Sequence, residues 1–507
     1  MWEVTISTFV SKESYMKISK PYTYILAFVA GLLTVLGFAP FELFVAPMIG
    51  LAVLFYLWQC SSSPRQDFAL GLSFGLGLYG FGIYWIYISL YEFGGMPWWF
   101  AGFSTFCLCA FMALFPALVG YLSKRIGWVI WSAPLLWGLS DWVRGWIFTG
   151  FPWLTLGYSQ VPHSPLVGFM PIIGAYGVST MVALIASLLA TLCIKQFSTY
   201  WRVKTVFVVS IIILLGLLLK QIEWTTPIGQ PIKVALLQGN VSQSIKWSPE
   251  VANSTIAQYL DMVEQSDAQL IILPETALPV IAQQLDQQVI QRMTQHAQKN
   301  NGDVLVGLVQ YDRQDQSYFN SAISFGTSPV QAYSKIHLVP FGEFIPLKAV
   351  FGWIYRDWLN IPLSDLTRGK HQPPMELAGQ RVAVNICYED VFGEEIIQPL
   401  PDATLLVNMS NDAWYGKSFA AVQHMQFSKA RAIETGRMML RATNTGATAV
   451  IDQHGKVLAH APHDVQITLT GMVQGYQGAT PYVWWGNWPF IVLSFSAIAF
   501  VLWRKTK

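Results

Sequence analysis

Outside the long apolar stretches of this 507-residue chain there is one cysteine, Cys387, in the run Val384-Asn385-Ile386-Cys387-Tyr388-Glu389-Asp390. A thiolate is the most reactive nucleophile among ordinary side chains, so a thiol kept without a disulfide partner points to nucleophilic chemistry. Two other segments set an ionisable residue just after an apolar strand: Ile271-Ile272-Leu273-Pro274-Glu275-Thr276-Ala277, and Tyr333-Ser334-Lys335-Ile336-His337-Leu338-Val339-Pro340-Phe341-Gly342-Glu343-Phe344. Layered α/β folds gather their sites at such strand ends. A cysteine working at neutral pH needs a base for its proton, a task suited to a desolvated carboxylate such as Glu275. Acyl transfer also develops negative charge on oxygen, which Lys335 and the backbone N–H after the nucleophile are suited to stabilise. Taken singly, Cys387 reads as a small buried residue, and Glu275 and Lys335 as solvated surface charges. Three strand-end residues of complementary chemistry favour a site.

The elements that must position them are short β-branched runs alternating with helical stretches. Strands are expected at Lys233–Leu237, Gln269–Leu273, Val304–Val309, Ser321–Phe325, Arg381–Ile386, Thr404–Asn408 and Thr448–Ile451, with amphipathic helices over about 250–265, 280–299 and 419–440. That alternation indicates an α/β layered domain.

The rest of the chain is of another class. Overall 53% of residues are hydrophobic and 12% charged, against about 25% charged in soluble proteins. Apolar runs of bilayer length fall near 22–39, 42–59, 68–90, 99–122, 127–146, 165–194, 204–220 and 487–503. The expected division is a segment 1–21, a seven-helix membrane domain 22–220, a globular domain 221–486, an eighth span 487–503 and a tail 504–507. Twelve Lys and Arg residues, from Lys12 to Lys507, fall in the connections on one side of these spans, and the short connections on the other side carry none. The positive-inside rule then puts both termini in the cytoplasm and the 221–486 domain on the oxidising side. The net charge of +2, without a basic stripe, gives no sign of nucleic-acid binding.

Two motifs inside the apolar region are decoys. Gly71-Leu72-Ser73-Phe74-Gly75 matches a hydrolase nucleophile elbow and Gly75-Leu76-Gly77-Leu78-Tyr79-Gly80 a dinucleotide fingerprint. Both motifs require a strand, a turn and a helix, whereas small residues in an apolar run let helices approach closely. Asp141 and Arg144 are the notable intramembrane charges. Three apart, they share a helix face as an ion pair, or Arg144, near the outer end of its span, holds a lipid phosphate. Gly150-Phe151-Pro152-Trp153 follows as a rigid aromatic turn.

Together these segments resemble a known family. Leu273-Pro274-Glu275-Thr276, Lys335 ahead of His337-Leu338-Val339-Pro340-Phe341-Gly342-Glu343, and Ile386-Cys387-Tyr388-Glu389-Asp390 form the Glu–Lys–Cys signature of the nitrilase superfamily. With a multi-span anchor and Gly150-Phe151-Pro152-Trp153, the chain resembles the bacterial apolipoprotein N-acyltransferases over essentially its whole length. The resemblance implies a multi-span α-helical bundle joined to an αββα sandwich, with Glu275 as base, Lys335 as oxyanion support and Cys387 as nucleophile. It implies supporting roles for Trp247, Glu343, Tyr388 and Glu389. The implied reaction carries an acyl chain from a membrane phospholipid, typically phosphatidylethanolamine, through a Cys387 thioester. The acceptor is the α-amine of the diacylglyceryl-cysteine at an apolipoprotein's N-terminus, and the implied setting is the bacterial inner membrane.

A thioester must be kept from water. The aromatic run 350–359, with Trp353 and Trp358, is expected to dip into the bilayer surface and gate lipid entry; packing as a core helix is its plainer role. No metal or other cofactor is expected, since His337 has no second ligand at zinc spacing, and the enzyme is expected to be a monomer. Two rival functions use the same sequence. A membrane-anchored amidase or hydrolase would need far less membrane, and a transporter or receptor would need more intramembrane charge.

Overall fold

The structure, a computed structural model, describes residues 20–194, 197–243, 246, 248–353 and 365–506. Residues 20–219 are mainly helical: α1 Lys20–Val35, α2 Ala46–Cys60, α3 Pro64–Gly82, α4 Trp85–Ile88, α5 Trp98–Ile126, α6 Val129–Arg144, α7 Met170–Leu192 and α8 Thr199–Leu219. Local sequence sets several ends. Ser63 caps α3 by accepting from Gln66 N, with Pro64 in the first turn. Near its start α7 breaks at Gly174, where φ is +63, and the N–H this frees, that of Ala175, donates to Glu434 Oε1 at 2.8 Å. The α3 glycines are packing positions. A Cβ on Gly75 would lie 2.6 Å from Ala113 Cα in α5, and one on Gly77 2.2 Å from the Phe28 carbonyl oxygen in α1.

Among the described residues, α5, α8, a unit spanning Pro165–Leu192 and the C-terminal helix are long and apolar enough to cross a bilayer. Pro64–Gly82 and Trp85–Phe93 make a fifth if their 51° bend lies within one span. Helices α1, α2 and α6, at 16, 15 and 16 residues, rise only about 24 Å each at 1.5 Å per residue.

The globular part holds two six-stranded sheets among the described residues. One runs β12-β1-β2-β3-β4-β5, from Ile467–Gly478, Thr225–Gln238, Leu270–Ile272, Asp303–Asp312, Ser317–Gly326 and Ala332–Ser334. The other runs β11-β10-β9-β8-β7-β6, from Val457–His460, Ala449–Ile451, Met439–Thr443, Leu405–Ser410, Gln380–Ile386 and Met375–Leu377. Each has a parallel centre, β1-β2-β3 in the first and β7-β8-β9 in the second. Crossovers connect those parallel strands. α9 (Pro249–Glu264) and α10 (Gln287–Lys299) serve the first sheet; α11 (Lys348–Trp353) lies in the loop before β6; α12 (Gly393–Ile396) and α13 (Ala420–Thr435) serve the second. α14 (Pro481–Trp485) and α15 (Trp488–Thr506) end the chain.

The inner faces of the sheets meet through Val234, Leu236, Ile272 and Leu305 on one side and Val384, Ile386, Val407 and Leu440 on the other. Tyr259, Leu260, Val263 and Met293 of α9 and α10 cover the outer face of the first sheet. Ile396 and Ala432 of α12 and α13 cover that of the second, over Ala383, Leu406 and Met439. The result is a four-layer αββα sandwich. Its inner core runs without a break into the bundle, through Phe427, Trp153 and Trp85.

The helix expected over 419–440 ends early. Gly436, in the left-handed region at φ +64, stops α13 after Thr435, and the following run is the buried strand β9.

Candidate active site

Glu275 follows β2 and Lys335 follows β5, both in the first sheet, while Cys387 follows β7 in the second. Sheet pairing therefore brings them to one edge of the sandwich, at the carboxyl ends of strands. All three are buried, at 7%, 1% and 6% exposure. Lys335 Nζ lies 2.9 Å from Glu343 Oε2 and 3.4 Å from Glu275 Oε1. Asn320 Nδ2 donates to both carboxylates, at 2.7 Å to Glu275 and 3.0 Å to Glu343. The second oxygen of Glu275 accepts from Asn411 N at 3.0 Å.

Cys387 sits in the left-handed region at φ +53, a conformation a non-glycine residue holds only when its surroundings impose it. Its carbonyl accepts from Asn408 Nδ2 at 3.0 Å and faces His424 Nε2 at 3.1 Å. Burial pushes its thiol well above the ordinary range; Glu275 adds to the rise, and Lys335 opposes it. Cys387 is thus held as a thiol, and attack by its sulfur would need a base beside it. Burial would pull Lys335 down, but Glu343 and Glu275 hold it above the usual lysine range, so it stays an ammonium. A thiol, an ionisable carboxylate and a fixed cation in a dry recess form the minimal set for acyl transfer through sulfur.

Glu343 pairs with Lys335 and also accepts from Val339 N at 2.8 Å, anchoring its own loop. Glu389 accepts from Ile386 N at 2.6 Å, Ile336 N at 2.6 Å, His337 N at 3.0 Å and Tyr333 Oη at 2.9 Å. It therefore ties the cysteine loop to the lysine loop. Burial pushes it up to about 7 against the pull of the Ile386 N–H, Lys335 and the other two N–H groups. Tyr388 donates to the Gly150 carbonyl at 2.9 Å and stacks near Trp153.

Arg144 takes no place in this cluster. It is 1% exposed and meets protein oxygens; of the two expected partners, Asp141 rather than a lipid phosphate holds it. Its guanidinium donates to Phe151 O at 3.0 Å, Trp153 O at 2.5 Å, Asp141 Oδ1 at 2.8 Å and Thr155 Oγ1 at 2.9 Å. It braces the Gly150-Phe151-Pro152-Trp153 turn against which Tyr388 rests. Trp247 and Trp358 lie outside the described residues, as does most of the aromatic run 350–359; Trp353 closes α11.

Several functional neighbours escaped the sequence reading. Asn320 lies inside β4, away from any strand end. Lys246, next to Trp247, is buried with Nζ 3.1 Å from Thr276 Oγ1; burial pulls it down to about 8, opposed by Glu275. Asn411 directly follows β8, in a polar strand-end run.

The carbon-nitrogen hydrolase family model matches residues 233–482, and that of the apolipoprotein N-acyltransferase N-terminal domain matches residues 30–188. A solved amidase from Nesterenkonia sp. is similar over 51% of this chain and 94% of its own, at 16% identity and a TM-score of 0.35. The αββα sandwich over residues 233–482 is that of a carbon-nitrogen hydrolase domain. The apolipoprotein N-acyltransferase of Nitrosomonas europaea is 49% identical over 474 residues, 92% of this chain and 94% of that protein. That of Methylococcus capsulatus is 40% identical over 491 residues, 95% and 96% of the two chains. The chain belongs to the apolipoprotein N-acyltransferase family, and it is a membrane-bound acyltransferase.

Proposed function

We propose that Cys387 carries an acyl chain from a membrane phospholipid, with phosphatidylethanolamine as the usual donor, to the α-amine of an apolipoprotein's N-terminal diacylglyceryl-cysteine. Glu275 takes the thiol proton as sulfur attacks the ester carbonyl. A C–S bond forms, and the oxyanion faces the Lys335 ammonium and the Tyr388 N–H. The C–O bond then breaks, and Glu275 returns the proton to the leaving alkoxide, releasing a lysophospholipid. In the second half the neutral amine attacks the thioester and Glu275 takes its proton. The C–N bond forms, the C–S bond breaks, and the proton returns to sulfur. Trp247, Trp353 and Trp358 are assigned to lipid contact, and a dry recess protects the thioester.

The domain is assigned to the periplasmic side of the bacterial inner membrane, with both termini cytoplasmic and eight spans at the apolar runs, the enzyme acting as a monomer. The observation that carries this reading is the buried Lys335 ammonium between Glu275 and Glu343, beside a raised thiol, in a domain whose core continues into membrane helices. Anchoring in the bilayer lets the enzyme meet two lipid-bound substrates in two dimensions. Intact-mass measurement of protein from membranes, beside Cys387→Ser, tests it. An acyl-sized adduct released by hydroxylamine and absent in the variant is expected. Turnover surviving in Cys387→Ser, or no adduct with any phospholipid, overturns it.

A further inference from the structure

α13 lies between the second sheet and the membrane bundle, and two consecutive residues on it, about 100° apart around the helix axis, face different layers. His424 faces the nucleophile. Its Nε2 lies 3.1 Å from the Cys387 carbonyl and 2.9 Å from Asp390 Oδ1, and its Nδ1 lies 2.9 Å from Asp412 Oδ1. Arg441 locks both carboxylates, at 3.1 Å to Asp390 Oδ2 and 2.9 Å to Asp412 Oδ2. The imidazole, held at both nitrogens, cannot turn without breaking this buried set. Gln423 faces the bundle. Its Oε1 accepts from the indole N–H groups of Trp153 at 2.8 Å and Trp85 at 3.1 Å, and its Nε2 donates to Gly82 O at 3.2 Å. Gly82 and Trp85 flank the 51° bend between the third and fourth helices, so Gln423 grips that bend.

We propose that α13 sets the position of the nucleophile from the membrane bundle, with Gln423 and His424 as positioning residues for Cys387. The strained Cys387 backbone is fixed through its carbonyl, that carbonyl through His424, and the helix bearing His424 through Gln423 to the bend. The bundle is then part of the catalytic apparatus as well as its anchor. The inference rests on Cys387 being the nucleophile.

The test uses the full-length enzyme with Gln423→Leu, Gln423→Glu, Trp85→Phe and the double variant Trp85→Phe/Gln423→Leu. Three quantities are read: the acyl-enzyme rate and KM on phosphatidylethanolamine vesicles, the alkylation rate of Cys387 by iodoacetamide without lipid, and the melting temperature. A misplaced nucleophile costs rate without affinity, so Gln423→Leu is expected to lower acylation and alkylation together by about tenfold at unchanged KM. Gln423→Glu, which keeps the acceptor for both indoles but loses the donor to Gly82 O, is expected to recover part of both rates at unchanged KM. The double variant is no worse than Gln423→Leu, since Trp85 acts through the same amide. Alkylation at the wild-type rate, or additive losses in the double variant, overturns the relay. If Gln423→Leu does not fold, wild-type alkylation in Trp85→Phe does so. Turnover in Cys387→Ser would instead overturn the nucleophile assignment, which separates the two failures.

Discussion

α10 and α13 occupy matching places, each following the second parallel strand of its sheet and covering that sheet's outer face, yet they are built to opposite rules. α10 buries Met293 and Ala297, four apart on one face, and turns its polar residues outward; Arg292 pairs with Glu264 at 2.6 Å in water. Of the sixteen residues of α13 only Val422 and Met425 are not buried, and its several faces carry Gln423, His424, Ser428, Lys429, Arg431 and Glu434. An amphipathic stripe marks a helix with solvent behind it. α13 has a membrane bundle behind it, so every face needs a partner, and a polar side chain with a matched partner fills that role and fixes geometry as well. The second sheet continues the pattern. Asn385, Asn408 and Arg441 lie side by side across β7, β8 and β9, joined by bonds of 2.7 Å each.

The sharpest way to test this contrast is to ask which buried charges serve chemistry and which serve position. Lys335→Met removes the cation proposed to face the oxyanion, and single-turnover acylation followed by intact mass is expected to fall about a thousandfold. Arg441→Met leaves Asp390 and Asp412 buried without their counter-ion. Its expected loss is about 3–5 kcal/mol of stability, seen as a drop in melting temperature. If that drop is absent, the cluster under α13 does not carry the load assigned to it.

A smaller effect concerns pH. Burial and Arg441 would lower His424, but Asp390 and Asp412 raise it from 6.5 to about 9. A base raised on folding lends stability that is complete below 6.5 and lost as pH climbs through about 9. Melting temperature is therefore expected to fall across that window, and His424→Gln to flatten the fall; equal slopes in both proteins refute the assignment. The smallest effect belongs to the other helix. Arg292→Ala breaks an exposed pair, and no resolvable change in melting temperature is expected. A clear loss there would erase the contrast between the two helices.

The chemistry was more legible than the frame around it. Glu275, Lys335 and Cys387 stand out because each is an ionisable or nucleophilic residue at the end of an apolar run, and the sheets bring all three to one edge. Strands β1 to β4, β7, β8 and β10 were readable from the same runs. β5 (Ala-Tyr-Ser) and β6 (Met-Glu-Leu) are as short as β2 and β10 but lack their unbroken apolar runs, and the alternation in Ile467–Gly478 is present but was not used. β9 was missed: the helix expected over 419–440 runs into its first two residues, Met439 and Leu440, and Arg441, paired with Asp390 and Asp412, is a charge that a buried strand rarely carries. Of the two readings of Arg144, the ion pair with Asp141 is the one that forms. The depth of Arg144 was readable, but the carbonyls that occupy it come from a loop whose path only the folded chain reveals. Tight turns such as Gly436 mark where one element ends and the next begins, and spacing alone hides them.

The contact between Glu434 and the freed Ala175 N–H has a consequence for how the protein is made. Residue 175 leaves the ribosome some 260 residues ahead of residue 434, so α7 is inserted with an unpaired amide at its break. That amide finds its acceptor only after the catalytic domain has closed over the bundle. Assembly is thus completed from outside the bilayer, and a chain truncated before α13 would leave an unsatisfied donor at the broken turn of α7.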